Sequence, residues 1–373
     1  MIKVGILSMQ RIANYGSFLQ AYGLKKILEE LGCDVQFVDY HPGKTLIAPD
    51  GGTGSRRKVA KVIETLKYSA PLKEKLKFIN YKKNYAANYY PYLGITDEYN
   101  YNPELDLLVI GSDEVFNCVQ NNTNVGFSPE LFGQNSNAKH IISYAASFGN
   151  TTLEKLKKYG VDEKVAEWLD SFDSISVRDN NSGQIIEKLT GETPEYHLDP
   201  VLAYDYIGKC KEIPDHIDES GYMILYGYSG RFSKEECKAV REYADAHRLK
   251  VYCIGGVQGV CDKFIDCDPF EVIAYFKNAK CVVTDTFHGT ILSVIAHKQF
   301  VSVVRNEGYG NAEKLCDLLE RLNLKNRILN DMGNLGDKIN SAIDYEKTDV
   351  FLSSERKKTL QYVERQTNVS RVI

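Results

Sequence analysis

The sequence predicts an α/β protein built from two doubly wound domains that face each other across a cleft. Apolar segments of strand length alternate with segments of helical periodicity from the first residue onward, a pattern typical of parallel sheets covered by helices. The 373 residues exceed what one ordinary core accommodates. A polar linker with Pro214 and Gly221 separates two such series, so we predict domains over residues 1–200 and 201–373.

The first domain opens with a parallel βαβ unit. Residues 3–9 are an apolar strand, and a second strand is expected at 35–40. Between them, apolar residues recur at helical spacing up to a terminating Gly32: Leu24, Ile27, Leu28 and Leu31. The later elements predicted for this domain are strands at 105–110, 140–145 and 174–177, and helices at 165–172 and 182–190.

The second domain repeats the same alternation. Its predicted strands are 222–226, 251–254, 281–284 and 300–304, and its predicted helices are 234–247, 269–278, 290–297 and 312–322. The tail at 353–372 is predicted to be helical and could pack back onto the first domain.

A basic segment interrupts the first domain. Residues 56–90 hold ten lysines and arginines against two glutamates, so this stretch carries a formal charge of +8 and the remainder −12. Aromatic residues follow at helical spacing: Phe78, Tyr81, Tyr85 and Tyr89. We therefore predict a basic helical insertion near 55–92. An ordinary solvated helix is the simpler interpretation, and contact of residues 56–90 with anionic lipid headgroups is the alternative.

Composition limits the function classes. A net charge of −4 and a pI near 6.0 argue against nucleic-acid binding, which depends on neutralising phosphates. No run approaches the roughly 20 apolar residues that span a bilayer, and the first residues resemble a strand more than a signal peptide. The nine cysteines include no close pair suited to zinc. We therefore expect a cytoplasmic protein with reduced cysteines and no metal site.

The segment 281–290 places polar residues between a strand and a helix. The apolar run ends in Asp285 and Thr286, and His288 follows immediately before a helical pattern. Because the free N–H groups at a helix start attract anions, we expect an anionic ligand beside His288. A histidine that merely caps the loop is the alternative.

Three other predicted strands also end in polar residues. The segments are Asn14-Tyr15-Gly16-Ser17, Gly111-Ser112-Asp113 and Arg178-Asp179. Open α/β folds bind ligands at the carboxyl edge of the sheet, where these segments lie. Together with His288 they predict one shared site.

At these residues the chain resembles the polysaccharide pyruvyl transferase family. The resemblance extends in order over about 300 residues, through Val4-Gly5-Ile6-Leu7, Asn14 to Tyr22, Ile110 to Asn117, Tyr144 to Gly149, Ser176 to Asp179, Leu198-Asp199-Pro200-Val201 and Thr284 to Thr290. Glu114 and Phe116 stand where the family pattern has Gln and Trp.

The resemblance implies two facing Rossmann-like domains of the GT-B type. It also implies phosphoenolpyruvate as donor, a sugar diol as acceptor, a cyclic pyruvate ketal as product and release of phosphate. No cofactor is implied, and the requirement for a divalent metal is open. Family acceptors are often sugars on a membrane lipid carrier, which would place the basic insertion on the acceptor side and the protein at the inner face of the membrane, in capsule or exopolysaccharide synthesis.

This chemistry assigns roles to the strand-end residues. His288 would act as the general acid, since an enol ether becomes electrophilic when its methylene carbon is protonated. Arg178 would bind the donor through its forked guanidinium, and Asp113 would orient His288 or accept a hydroxyl proton. The N–H groups of Phe287, His288, Gly289 and Thr290 would complete the anion pocket. On the acceptor side we place Asn14, Tyr15, Gly16, Ser112 and Asn117.

Two other functions remain open at this stage. A GT-B glycosyltransferase could use Gly255-Gly256-Val257-Gln258-Gly259 as a phosphate loop for a nucleotide sugar. A non-catalytic sugar- or phosphate-binding module is the second. Binding of phosphoenolpyruvate without turnover would favour the latter.

Overall fold

The computed structural model describes residues 1–48, 63, 67–305 and 312–372. The first domain is built on a six-stranded parallel sheet. The strand order is β2-β1-β3-β4-β5-β6. The strands are β1 (Lys3–Leu7), β2 (Asp34–Phe37), β3 (Leu105–Asp113), β4 (Ala138–Ala146), β5 (Ser176–Val177) and β6 (Glu195–Tyr196). The helices are α1 (Tyr15–Glu30), α2 (Leu72–Leu93), α3 (Leu153–Tyr159), α4 (Asp162–Leu169), α5 (Asn180–Thr190), and the short α6 (Pro200–Ala203) and α7 (Tyr206–Lys209). A 3₁₀ turn spans Pro129–Phe132.

The second domain holds another six-stranded parallel sheet, in the order β12-β11-β10-β7-β8-β9. Its strands are β7 (Tyr222–Tyr226), β8 (Lys250–Ile254), β9 (Lys263–Phe264), β10 (Val282–Thr284), β11 (Phe300–Val303) and β12 (Ile328–Leu329). Its helices are α8 (Lys234–Ala246), α9 (Pro269–Asn278), α10 (Phe287–Ile295), α11 (Ala312–Arg321) and α12 (Leu335–Asn340), followed by the long α13 (Tyr345–Val372). Two 3₁₀ turns lie at Lys325–Arg327 and Met332–Asn334.

The predicted fold class is confirmed: both sheets are parallel and covered by helices. Side-chain caps explain where two helices begin earlier than predicted. Asp179 accepts a hydrogen bond from the Ser182 N–H (2.8 Å), so α5 begins at residue 180. Thr286 accepts one from the Gly289 N–H (2.9 Å), so α10 begins at residue 287 and His288 lies in its first turn. Helices α3 and α12 were not predicted.

Helix α2 joins the two domains. Its aromatic stripe is buried and packs on both sides of the domain boundary, with Tyr81 5.5 Å from the Tyr15 ring and 5.6 Å from the Phe264 ring. The Lys77 ammonium donates to the Phe264 carbonyl at 2.8 Å. This part of the predicted insertion is therefore packed between the domains, whereas residues 49–62 and 64–66 lie outside the described part of the chain.

Helix α13 crosses from the second domain to the first. Near its start the Tyr345 hydroxyl donates to the Lys298 carbonyl (2.5 Å), and further along the Tyr362 hydroxyl donates to the Ser143 carbonyl in β4 (2.9 Å). The helix therefore covers part of the first sheet. Among the described helices, none is both long enough and apolar enough to cross a bilayer.

Candidate active site

A cavity of about 210 Å³ lies where the carboxyl edges of the two sheets face each other. The first domain contributes residues that follow β1, β3 and β5, and the second contributes residues that follow β7, β8 and β10. Lys314 joins them from α11. The lining residues are Asn14, Ser17, Asp113, Glu114, Arg178, Tyr226, Gly227, Tyr228, Arg231, Gly255, Thr286, Phe287, His288 and Lys314.

His288 is fixed by contact with the other domain. Its imidazole lies against Gly16 in the first turn of α1, so closely that a Cβ added to Gly16 would be 2.3 Å from the ring atoms Cγ and Nδ1. Only glycine leaves room for the ring in this position. The Asn14 side chain begins α1 at this point by accepting a hydrogen bond from the Ser17 N–H (2.8 Å). The start of α1 therefore forms one wall for His288.

Asp199 is the carboxylate closest to His288 in the ion-pair network. It is fully buried, and its Oδ2 lies 3.6 Å from His288 Nε2 and 2.6 Å from an Arg178 terminal nitrogen. Burial alone would raise the pKa of Asp199, but the neighbouring His288 and Arg178 lower it below its usual value. Asp199 is therefore ionised, and it lies between the His288 ring and the Arg178 guanidinium. The predicted orienting partner was Asp113; the described contacts give this position to Asp199.

Arg178 connects the two carboxylates. Its side chain is 2% exposed, and its second terminal nitrogen lies 3.3 Å from Asp113. The guanidinium carbon lies 4.5 Å from the centre of the Phe287 ring. Burial opposes the charge on Arg178, yet the pKa is raised because Asp199, Asp113 and Asp179 surround it. Arg178 therefore borders the cavity as a cation already compensated by carboxylates.

Asp113 contacts the first domain rather than His288. Its side chain accepts a hydrogen bond from the Ser17 hydroxyl at 3.0 Å, besides the contact to Arg178. The residue has a positive φ of 70° at the end of β3, which turns the chain out of the sheet at the cavity. A carboxylate in this position can accept a proton from a bound hydroxyl.

Glu114 and Lys314 form an ion pair between the domains, and both line the cavity. The Asn117 amide donates to the other Glu114 oxygen at 2.8 Å. Burial opposes ionisation of Glu114, but Lys314 lowers its pKa to about 2. Sequence reasoning missed Lys314, because no motif marks it and its place at the cavity depends on how α11 packs.

Four of the five predicted acceptor residues do not line the cavity: Tyr15, Gly16, Ser112 and Asn117. Tyr15 is buried, and its hydroxyl donates to the Cys267 carbonyl (3.0 Å) in the domain boundary. Ser112 is fully buried and donates to the Ala145 carbonyl (2.7 Å). Asn117 holds Glu114 and accepts a hydrogen bond from the Thr151 hydroxyl. Among the predicted acceptor residues, Asn14 lines the cavity and Gly16 acts through His288.

The predicted anion pocket is also smaller than expected. The Gly289 N–H donates to the Thr286 hydroxyl and the Thr290 N–H to the Thr286 carbonyl (3.1 Å), so both are used inside α10. The Thr290 side chain is buried behind the cavity, 2.6 Å from the Ser302 hydroxyl. Phe287 and His288 are the residues of this turn that reach the cavity.

Sequence reasoning missed a second ion-pair network beside His288. Asp285, which is fully buried, lies 2.9 Å from Arg231 Nε and 2.6 Å from Arg305. Burial raises the pKa of Asp285, against the influence of the two arginines. Asp285 precedes the Thr-Phe-His turn and was visible in the sequence, whereas no pattern marked Arg231. Arg231 adds a further cation to the lining.

The glycine-rich segment 255–259 packs against the chain that follows β7. A Cβ added to Gly256 would lie 2.3 Å from the Ser229 nitrogen, and the Val257 N–H donates to the Ser229 hydroxyl (3.0 Å). The glycines therefore permit a close approach of two loops. This packing accounts for the cluster without a bound phosphate.

Comparison with solved structures gives distant similarities over most of the chain. An O-GlcNAc transferase mutant from Thermobaculum terrenum matches at 10% identity and a TM-score of 0.46, covering 99% of this chain and 66% of that one. The S. aureus MnaA structure with UDP matches at 11% and 0.49 (95% and 91%). A UDP-GlcNAc 2-epimerase from Neisseria meningitidis bound to UDP-GlcNAc matches at 9% and 0.45 (99% and 94%). These similarities say nothing about activity.

Comparison with curated protein sequences gives no match. The family model described as polysaccharide pyruvyl transferase, in contrast, matches residues 14–307, from the cap of α1 to beyond the turn that carries His288. The matched region covers most of the chain and contains all the first-domain residues of the cavity. This chain belongs to the polysaccharide pyruvyl transferase family.

Proposed function

We propose that the protein transfers the pyruvyl group of phosphoenolpyruvate to two hydroxyls of a sugar, forming a cyclic ketal and releasing phosphate. The observation that carries the proposal is the triad of His288, Asp199 and Arg178 at the cavity between the sheet edges. Its buried carboxylate lies between an imidazole that reaches the cavity and a guanidinium that borders it. The family membership supports the same reaction class.

The charges of the lining suit an anionic donor. Arg178, Arg231 and Lys314 border the cavity, and the positive end of the α10 dipole lies at the turn that reaches it. Phosphoenolpyruvate carries a phosphate and a carboxylate, and both prefer such cations. In this arrangement Arg178 is held by two carboxylates, so it acts as a positioned charge rather than a mobile clamp.

The reaction needs one group that protonates phosphoenolpyruvate and another that accepts a proton from a sugar hydroxyl. These two groups must lie on opposite sides of the bound phosphoenolpyruvate. His288 gives its proton to the methylene carbon while the first sugar oxygen bonds to the neighbouring carbon, and phosphate leaves with the electron pair of its C–O bond. The second sugar oxygen then bonds to that carbon. Of the two hydroxyl protons, one returns to His288 and the other leaves on phosphate, and Asp113 is placed to pass a proton on.

The wider setting of the reaction is part of the proposal. We place the enzyme in the cytoplasm, in the synthesis of a capsule or exopolysaccharide, with an acceptor that is either lipid-linked or nucleotide-linked. The positive charge of residues 56–90 would favour an acceptor at an anionic membrane surface.

The experiment is phosphate release from phosphoenolpyruvate with a panel of lipid-linked and nucleotide-linked sugars. We expect phosphate with at least one acceptor, whose mass increases by one pyruvate less one water. His288→Ala should lower turnover by about 10²–10⁴ while the protein stays folded. Release of a nucleoside diphosphate with glycosyl transfer would contradict the proposal, and so would binding of phosphoenolpyruvate without turnover on any acceptor.

A further inference from the structure

Tyr228 is the exposed aromatic side chain of the cavity lining, in which the other two aromatic residues, Tyr226 and Phe287, are buried. It follows β7 at the carboxyl edge of the second sheet, lines the cavity and is 57% exposed, whereas the neighbouring Tyr226 is buried. A large exposed ring beside a reaction site needs a physical reason, because burial would be more favourable.

The backbone that carries Tyr228 is held tightly. The Gln258 amide, which is fully buried, donates to the Tyr228 carbonyl at 2.7 Å. A Cβ added to Gly256 would lie 2.7 Å from the Tyr228 carbonyl carbon. The Gly230 N–H donates to the Val257 carbonyl at 3.0 Å. The glycine-rich segment therefore fixes the loop, and the ring projects from a rigid base.

One face of the ring is already supported. The Arg231 guanidinium carbon lies 5.4 Å from the ring centre, and Arg231 is itself held by Asp285. A cation near one face of an aromatic ring is attracted to it and limits its rotation. The ring is thus oriented before any ligand arrives, which lowers the entropy cost of binding.

We propose that Tyr228 is the platform on which the ring of the acceptor sugar stacks, so that the enzyme selects a pyranoside over an acyclic polyol. This inference rests on the proposed function, because it names the acceptor class of that reaction. A pyranoside has an apolar face of C–H groups and an edge of hydroxyls. Its apolar face matches Tyr228, and its hydroxyl edge can turn to Asn14 and Asp113, which line the same cavity from the first domain.

The chain supplies a matched control. Tyr159 in α3 is 37% exposed, has the Lys158 ammonium 5.7 Å from its ring centre, and is not among the residues of the cavity. Tyr228→Ala and Tyr159→Ala each remove one exposed tyrosine that has a cation beside it. Tyr228→Phe keeps the ring and removes only the hydroxyl.

The test measures sugar binding by ligand-observed NMR, which does not depend on turnover. The probes are methyl α-glucopyranoside, methyl β-galactopyranoside and methyl α-mannopyranoside, with sorbitol as the acyclic comparison. We expect the intact protein to bind at least one pyranoside more tightly than sorbitol, and Tyr228→Ala to raise that Kd about tenfold. Tyr159→Ala should leave it unchanged, Tyr228→Phe, which keeps the ring, should bind more tightly than Tyr228→Ala, and thermal unfolding should show all variants folded.

Equal binding of the pyranosides by Tyr228→Ala and the intact protein would overturn the inference. Equal binding of sorbitol and the pyranosides by the intact protein, or no binding of any pyranoside, would do the same. Failure of the reaction itself is a separate result: pyranoside binding that depends on Tyr228, without phosphate release from phosphoenolpyruvate, rejects the proposed function and leaves the platform standing. If phosphate is released and Tyr228→Ala does not change the KM for the acceptor, the role of Tyr228 as a platform is rejected and the proposed reaction is retained.

Discussion

The His288 imidazole occupies the space that a side chain at Gly16 would need, although the two residues belong to different domains. The absence of a side chain at Gly16 therefore allows His288 to take its position in the candidate active site, although glycine has no functional group. Any residue larger than glycine would move the ring away from Asp199.

Gly16→Ala should lower turnover by displacing His288 while the protein stays folded. Alanine is the better helix former, so α1 itself does not suffer from the change. Steady-state kinetics with phosphoenolpyruvate and circular dichroism measure the two effects. Gly336→Ala is the matched control, because its added Cβ would be 3.8 Å from the nearest atom, in Tyr243. Equal activity of the Gly16→Ala enzyme and the intact enzyme would contradict the role of this contact.

Arg178→Lys should both raise the KM for phosphoenolpyruvate and destabilise the fold. A lysine ammonium cannot reach Asp199 and Asp113 with the fork geometry, so one buried carboxylate loses its partner. We expect a loss of about 3 kcal/mol in the free energy of unfolding, measured by denaturant titration. A change in the acceptor KM alone would place Arg178 on the other half of the cavity.

Glu114→Gln should lower the KM for phosphoenolpyruvate. The change leaves Lys314 without its carboxylate partner. It also removes one negative charge, so the net charge of the cavity lining becomes more positive by one. Because the pKa of Glu114 is about 2, the carboxylate is ionised at every working pH and the effect should not vary between pH 6 and 8. Glu313→Gln makes the same charge change at an exposed neighbour of Lys314 and should have little effect. A KM equal in both variants would mean that general charge, not this pair, controls donor binding.

His197 should make the protein less stable in acid. The residue is fully buried under α13, and burial together with the charges of Lys358, Arg321 and Arg365 lowers its pKa from 6.5 to about 3. Below pH 6.5 the unfolded chain takes up a proton that the folded chain refuses. Stability therefore falls by about 1.4 kcal/mol for each pH unit between 6.5 and 3. His197→Phe removes this pH-dependent contribution. As the pH falls, the intact protein should therefore lose free energy of unfolding relative to the variant, and a difference between the two that stays constant with pH would contradict the prediction.

The basic segment should bind anionic vesicles weakly if the membrane proposal holds. Of its lysines, Lys77 and Lys82 donate to backbone carbonyls and Lys75 is buried, so replacing these would disturb the fold. Lys73 and Lys83 are exposed and suit the test as a double change to glutamine. Sedimentation with anionic and neutral vesicles should show binding by the intact protein that salt abolishes and the double variant weakens. Identical behaviour of both proteins would contradict contact of this segment with anionic lipid.

The alternation of strands and helices was enough to predict the fold class, because it depends on local periodicity. The same local reasoning placed Asn14, Asp113, Arg178 and His288 at one cavity, since each follows a parallel strand. It could not separate the residues of a motif that face the cavity from those that face the core. Tyr15 and Ser112 stand beside Asn14 and Asp113 in the chain, yet both are buried.

Residues brought in by tertiary packing were beyond local reasoning. Asp199 lies within a quoted motif, but its contact with His288 arises from the approach of two domains. Lys314 and Arg231 carry no motif. Their place at the cavity depends on how α11 and the loop after β7 pack.

The course of α13 determines how the two halves of the enzyme can move. The chain passes from the first half to the second after α7 and returns within α13, and the Arg356 guanidinium of α13 donates to the Leu202 carbonyl in α6 (3.0 Å), close to the first crossing. Because this bond links α13 to the chain just before the first crossing, a movement that separates the two crossings would have to break it. Helix α13 therefore holds the two halves together from outside the cavity, whose lining among the described residues includes none of its side chains.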